Sequence, residues 1–140
     1  LAGELIAVTE RSLDAQGNHR SYLFAGDHVA RFSVKRSDDF DVSDCTVLPP
    51  GDLLLLERRF SVSRGLAVRI RRIPLAAIKP GALVDGATLI EADLAYQIDN
   101  MEGIAVHRNA AGETIITLVS DDNFSVLQRN LLLQFALVGE

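Results

Sequence analysis

A segment recurs three times along this chain: a glycine, an acidic residue, an apolar run, and a carboxylate at its far end. The copies are Gly3-Glu4-Leu5-Ile6-Ala7-Val8-Thr9-Glu10, Gly51-Asp52-Leu53-Leu54-Leu55-Leu56-Glu57 and Gly112-Glu113-Thr114-Ile115-Ile116-Thr117-Leu118-Val119-Ser120-Asp121-Asp122. Their glycines stand about 50 to 60 residues apart, the upper end of the spacing of repeating all-β units such as propeller blades. The apolar runs have strand length. A repeat of this kind sets acidic side chains at equivalent ends of equivalent strands, where a shared acidic site can form.

The rest of the chain agrees with an all-β reading. Helical periodicity is nearly absent, and short β-type runs alternate with turn residues. Strands are expected at Leu5 to Thr9, Arg20 to Ala25, Val29 to Lys35, Thr46 to Leu48, Leu53 to Phe60, Leu66 to Ile73, Thr88 to Leu94, Gly103 to His107, Thr114 to Val119 and Leu131 to Leu137. Turns fall at Gln16-Gly17-Asn18, Pro49-Pro50-Gly51 and Asn109 to Gly112. Grouped by the repeat, they make one domain of three units, 1–40, 41–94 and 95–140, each a four-stranded antiparallel blade. A β-sandwich also has short strands and turns, but the internal repeat favours the propeller. Three units, the first entered partway, are fewer than the about four to eight blades that close a propeller. The expectation is therefore a piece of a larger propeller, with residues preceding Leu1 and with sheet edges open to self-association.

Charge and cysteine content narrow the function classes. The formal net charge of −5 opposes a nucleic-acid surface, which needs a basic stripe. No apolar stretch approaches the length that crosses a bilayer. A single cysteine, Cys45, rules out an internal disulfide and any Cys-rich metal cluster. It reads as a small apolar residue rather than a nucleophile. His19, His28 and His107 show no ligand spacing. No serine lies in a nucleophile elbow, since Ser120 lacks the flanking glycines.

The acids are the stronger signal. Asp41-Val42-Ser43-Asp44 parallels Asp99-Asn100-Met101-Glu102, each with two acids three residues apart before a short apolar strand. Propeller geometry would bring Asp99, Glu102, Asp121 and Asp122 together near the central channel, with Glu10, Asp44 and Glu57 from neighbouring blades. Converging carboxylates need a cation or protons. Calcium suits an oxygen-only set that Asn100, Asn123 and backbone carbonyls can complete. Acids also commonly end strands by accepting from turn amides, which is the plainer account of the same residues. Arginine's planar fork suits phosphate oxygens. Arginines that alternate on a strand, such as Arg69 and Arg71, ordinarily form its solvated face, so Arg58 and Arg59, directly after Glu57, are the better substrate-binding candidates.

The segments Asp99-Asn100-Met101-Glu102-Gly103, Ser120-Asp121-Asp122-Asn123-Phe124, Leu54-Leu55-Leu56-Glu57-Arg58-Arg59 and Leu131-Leu132-Leu133-Gln134-Phe135 resemble the bacterial phytase-like family, whose members are described as having esterase-like activity of phytase. The resemblance runs through most of the chain and corresponds to the family's C-terminal half. It implies a propeller-like fold, repeated acidic residues in the active region, and an exported protein, periplasmic or secreted. The combined expectation is a calcium-assisted hydrolase of small phosphoesters. Asp99, Glu102, Asp121 and Asp122 would hold the cation, Glu57, Glu102 and Asp121 would act in catalysis, and Arg58 and Arg59 would bind phosphate. The competing classes are a non-catalytic propeller that binds a ligand or protein, and a lactonase-like or esterase-like hydrolase.

Overall fold

The computed structural model describes residues 3–93 and 99–139. The chain is all-β, with three open sheets. The first runs β1 (Leu5–Leu13), β2 (His19–Ala25), β3 (His28–Val34) and then β7 (Leu83–Val84). The second runs β4 (Asp41–Leu48), β5 (Asp52–Ser61), β6 (Gly65–Pro74) and β8 (Ala87–Asp93). The third holds β9 (Met101–Arg108), β10 (Thr114–Ser120) and β11 (Leu132–Ala136). One 3-10 turn at Leu75–Ala77 is the only helical element among the described residues. The first strands of the sheets are neighbours, with β4 lying against both β1 and β9. Several largely antiparallel sheets, none of them closed, agree with the expected all-β class and with either a propeller-like fragment or a sandwich.

Two details depart from a four-stranded antiparallel blade per unit. The outer strand of the first sheet is β7, which comes from the stretch after β6 and pairs parallel to β3. The third sheet has three strands among the described residues. Leu94, the expected end of β8, lies outside the described residues.

The phase of the repeat also differs. Gly51 and Gly112 lie in the hairpins joining the first and second strands of their sheets, β4–β5 and β9–β10. Gly3 instead precedes β1 and lies in no hairpin. The true counterpart is Gly17. Asp14 to Asn18 and Asn109 to Glu113 form the same five-residue turn: the Asx oxygen accepts from the amides two and four residues on. The amide of the fourth residue, Gly17 or Gly112, bonds the carbonyl of the first. Both glycines sit at a left-handed φ of 82° or 80°, which a side chain resists. The signature is Asp14-Ala15-Gln16-Gly17-Asn18 against Asn109-Ala110-Ala111-Gly112-Glu113, and it puts the segment from Leu5 to Glu10 on a first strand, while Leu53 to Glu57 and Thr114 to Val119 are second strands.

The second sheet is covered on both faces, which is why β5 carries four consecutive leucines instead of an alternating pattern. Leu54 and Leu56, with Val68 and Ile70 from β6, pack on Met101, Ile104, Ile116 and Leu118 of the third sheet. Leu53 and Leu55, with Ile73, pack on Leu23, Phe32, Val34 and Val84 of the first. Continuing the alternation, Glu57, Arg69 and Arg71 fall on the face turned to the first sheet. They are buried, with Glu57 at 0% exposure and the arginines at 3% and 2%. The alternating arginines of β6 are thus core residues and not a solvated face.

Glu57 is why they can be there. One oxygen accepts from Arg69 Nε at 2.7 Å and Arg71 Nε at 3.0 Å, and the other accepts from Arg71 Nη2 at 2.5 Å. The segments that follow β3 and β7 supply further acceptors. Arg71 donates to the Lys35 carbonyl and to Asp85, and Arg69 donates to Asp38 and to the carbonyl and hydroxyl of Ser37. The Phe40 ring lies 4.2 Å from the Arg69 guanidinium. Burial opposes the charge on Asp85, but the Gly86 amide, Arg71 and Lys35 outweigh it and hold the carboxyl below its ordinary value. Removing one partner from such a network strands the others' charge. Glu57→Gln should therefore lose about 3–5 kcal/mol in a denaturant titration, and adding Arg69→Met and Arg71→Met should recover most of it. A loss below about 1 kcal/mol would show that the network does not hold the sheets together.

His19 adds a pH dependence. It is fully buried, and neither ring nitrogen has a hydrogen-bond partner among the described residues. Burial lowers its pKa from the ordinary 6.5, opposed by Glu57 and Asp41. Below pH 6.5 the unfolded chain takes up the proton before the native one does, so stability falls as pH falls from there toward the depressed native value. Melting temperatures between pH 7 and pH 5 should decline, and His19→Leu should flatten that slope. An equal slope in the variant would locate the titration elsewhere.

Candidate functional site

An arginine-lined cleft lies at one end of the sheets. There β1 finishes, the 35–40 segment leads into β4, the β5–β6 hairpin turns, and Asn100 precedes β9. The cleft, of about 450 Å³, opens between them, lined by the five arginines Arg11, Arg36, Arg58, Arg59 and Arg64. Asp39 and Asp41 are its lining acids. A net positive cleft stands out in a chain whose formal net charge is −5.

Acids orient the guanidiniums. Asp41, at the start of β4, accepts from Arg11 Nε and Arg36 Nε, both at 3.0 Å. Asp39 accepts from Arg64 at 3.2 Å and lies 3.6 Å from Arg36. Asp38 and Asp39 both adopt left-handed backbone, at φ 55° and 61°, which turns one carboxylate toward Arg69 and the other toward the cleft. For non-glycine residues such backbone is strained and is found disproportionately at functional sites.

Arg58 ties three sheets together. It stands on β5, on the face that carries Leu54 and Leu56, and reaches Glu10 of β1 at 3.2 Å and Glu102 of β9 at 3.3 Å. It also donates to Asn100 Oδ1 at 2.6 Å, and Asn100 donates in turn to Glu102 at 2.8 Å. Arg59, on the opposite face, lies 4.8 Å over the Phe40 ring. Among the described residues no carboxylate pairs with Arg59. Its Nη1 makes a long 3.5 Å bond to the Asp38 carbonyl, and its buried Nε has no partner. It is the cleft arginine that no carboxylate pairs with among the described residues.

The other expected site residues are distributed differently. Glu57 is sealed in the ion cluster between the first and second sheets. Asp99 is nearly buried, and its two oxygens accept from the amides of Asn100 and Arg129. Asp122 accepts from the Phe124 amide and the Asn130 side chain, closing its own loop. Asp121 is exposed. Asp44 bonds the amides of Cys45 and Ile104, joining β4 to β9. Acids that accept from amides, side-chain amides and guanidiniums account for Glu57, Asp99, Asp122 and Asp44. Among the described residues, no three of the His, Cys, Asp and Glu side chains gather in a way that could hold a metal ion. Both oxygens of Asp99 and of Asp122 and one of Glu102 already accept from N–H groups, whereas calcium takes about six to eight oxygen ligands. Sequence reasoning passed over Arg64 and Asp39 and placed Asp41 among the repeated acids rather than with the arginines; with Arg11 and Arg36 these residues come from β1, the 35–40 segment, β4 and the β5–β6 turn, which only the fold brings together.

No helix among the described residues is long and apolar enough to cross a membrane. No curated protein and no solved structure shows a significant match to the chain. The model of the phytase-like family, described as esterase-like activity of phytase, matches residues 2–124. That span takes in the three sheets' first strands and all five arginines of the cleft, and it shows that the chain belongs to the phytase-like family.

Proposed function

We propose that this chain binds phosphomonoesters in the arginine-lined cleft and hydrolyses them there. The carrying observation is the cleft's five arginines, four of them oriented by acids and Arg59 left without a carboxylate. A phosphoryl group has several anionic oxygens, and guanidinium forks match them two at a time. Phosphoryl transfer depends on positioning and charge neutralisation more than on covalent help from the protein, which is what such a cleft supplies. Arg59 would make the first contact and Arg58 the second. Asp39, an exposed carboxylate lining the cleft, would take the proton of a water that attacks phosphorus as the ester P–O bond breaks, the departing alcohol being protonated from solvent, since Glu57 has no surface from which to do so.

A second reading, binding without turnover, is favoured by one fact: Asp39 already accepts from Arg64 and lies beside Arg36, which orients arginines rather than a water. Export to the periplasm or beyond belongs to the same proposal. So does self-association, for which the outer edge of β11, with Leu132 and Phe135 exposed, is the natural place.

Calorimetry with inorganic phosphate, and turnover of a phosphomonoester, phosphodiester and lactone panel, test the proposal. Arg59→Met should weaken phosphate about 10- to 100-fold, the worth of a lost charge-assisted contact. Asp39→Asn should lower kcat about 10²- to 10⁴-fold with phosphate affinity retained. Binding with no turnover on any ester would select the second reading. If millimolar phosphate does not bind, or if calcium alone raises the melting point, the arginine-centred reading fails.

A further inference from the structure

The arginine cleft does not end at its charged wall. A second cavity, also about 450 Å³, shares Phe60, Leu66 and Asn100 with it, so the two are lobes of one groove. The second lobe differs in chemistry. Its apolar walls are Phe60, Leu66 and Leu127, and Phe60 and Leu127 are 77% and 89% exposed. Their bearing here is their place together on one concave surface, the setting in which exposed apolar side chains serve binding.

The apolar lobe is held in place by the fold. Leu127 rides on the loop between β10 and β11. That loop is anchored where Asp99 accepts from the Arg129 amide at 2.8 Å and where Ser120 accepts from the Leu131 amide at 2.9 Å. Asn100 stands at the junction of the lobes and is fixed from the charged side by Arg58 at 2.6 Å. Phe60 and Leu66 line both lobes, so an anion in the arginine lobe has an apolar wall beside it.

We infer that the groove selects amphiphilic phosphomonoesters, with the phosphate in the arginine lobe and an aryl or similar apolar group against Phe60, Leu66 and Leu127. This rests on the phosphate reading of the arginine cleft and narrows its substrate class. Asp99, Asn100, Gln128 and Arg129 also line this lobe, but the further phosphates of an inositol polyphosphate would meet one arginine and the Asp99 carboxylate there and leave the apolar walls wet. An aryl group there removes apolar surface of both ligand and protein from water.

Calorimetry at one ionic strength with inorganic phosphate, 1-naphthyl phosphate, 1-naphthol and inositol hexakisphosphate tests the inference. Naphthyl phosphate should bind at least about tenfold more tightly than inorganic phosphate, and naphthol alone should bind far more weakly than naphthyl phosphate. Leu127→Ser, which touches only the apolar lobe, should remove most of that gain while leaving inorganic phosphate affinity and the melting temperature unchanged. Equal affinity for the two phosphates, an unchanged gain in Leu127→Ser, or preference for inositol hexakisphosphate after correction for charge by salt titration would each overturn it. If inorganic phosphate binds and the naphthyl gain is absent, only this inference falls. If neither phosphate binds, the phosphate reading falls with it.

Discussion

One buried carboxylate, Glu57, held by two arginines of the neighbouring strand, sets the relation between the first two sheets. Placing three charged groups between sheets costs desolvation energy that only a saturated set of partners offsets. Here the partners come from both sides. Glu57 belongs to the second sheet, while Lys35, Ser37, Asp38 and Asp85 meet the arginines from the segments flanking β3 and β7. The 35–40 segment is therefore not free to choose its path. It must present two carbonyls and a carboxylate inward, and the left-handed backbone at Asp38 and Asp39 is how it does so.

That constraint reaches the cleft. With Asp38 turned to Arg69, its neighbour Asp39 is turned to Arg36 and Arg64, and Phe40 is driven beneath Arg59 and Arg69 with no exposed surface. The structural ion cluster and the candidate binding site are thus built from adjacent residues of one short segment. The same two-residue alternation separates them on β5. Odd-numbered Leu53, Leu55 and Glu57 turn to the first sheet, and even-numbered Leu54, Leu56 and Arg58 turn to the third.

Charge balance explains how an acidic chain maintains an arginine-rich cleft. Most of the guanidiniums are neutralised locally by Asp39, Asp41, Glu10 or Glu102, which limits repulsion among them and fixes their forks. An arriving anion competes with those carboxylates for the arginines. The exception is Arg59, whose charge is supported by the face of Phe40 instead.

Strand positions, the continuous apolar run of β5 and the all-β class were written in local sequence, because period-two patterning and turn glycines act over a few residues. So was the Asx-Ala-x-Gly turn shared by Asp14–Asn18 and Asn109–Glu113, although the more conspicuous Gly3-Glu4 segment masked its phase. Local sequence also supplied every residue of the cleft, but not its assembly. Arg69 and Arg71 look like a solvated face until Glu57, twelve and fourteen residues away, is seen to meet both of them in the core. Asp99, Glu102 and Asp122 look like cation ligands until their oxygens are seen to accept from amides and from Arg58. Which partner a charge finds depends on residues 30 to 60 positions distant being brought within about 3 Å, and only the stacking of sheet on sheet decides that.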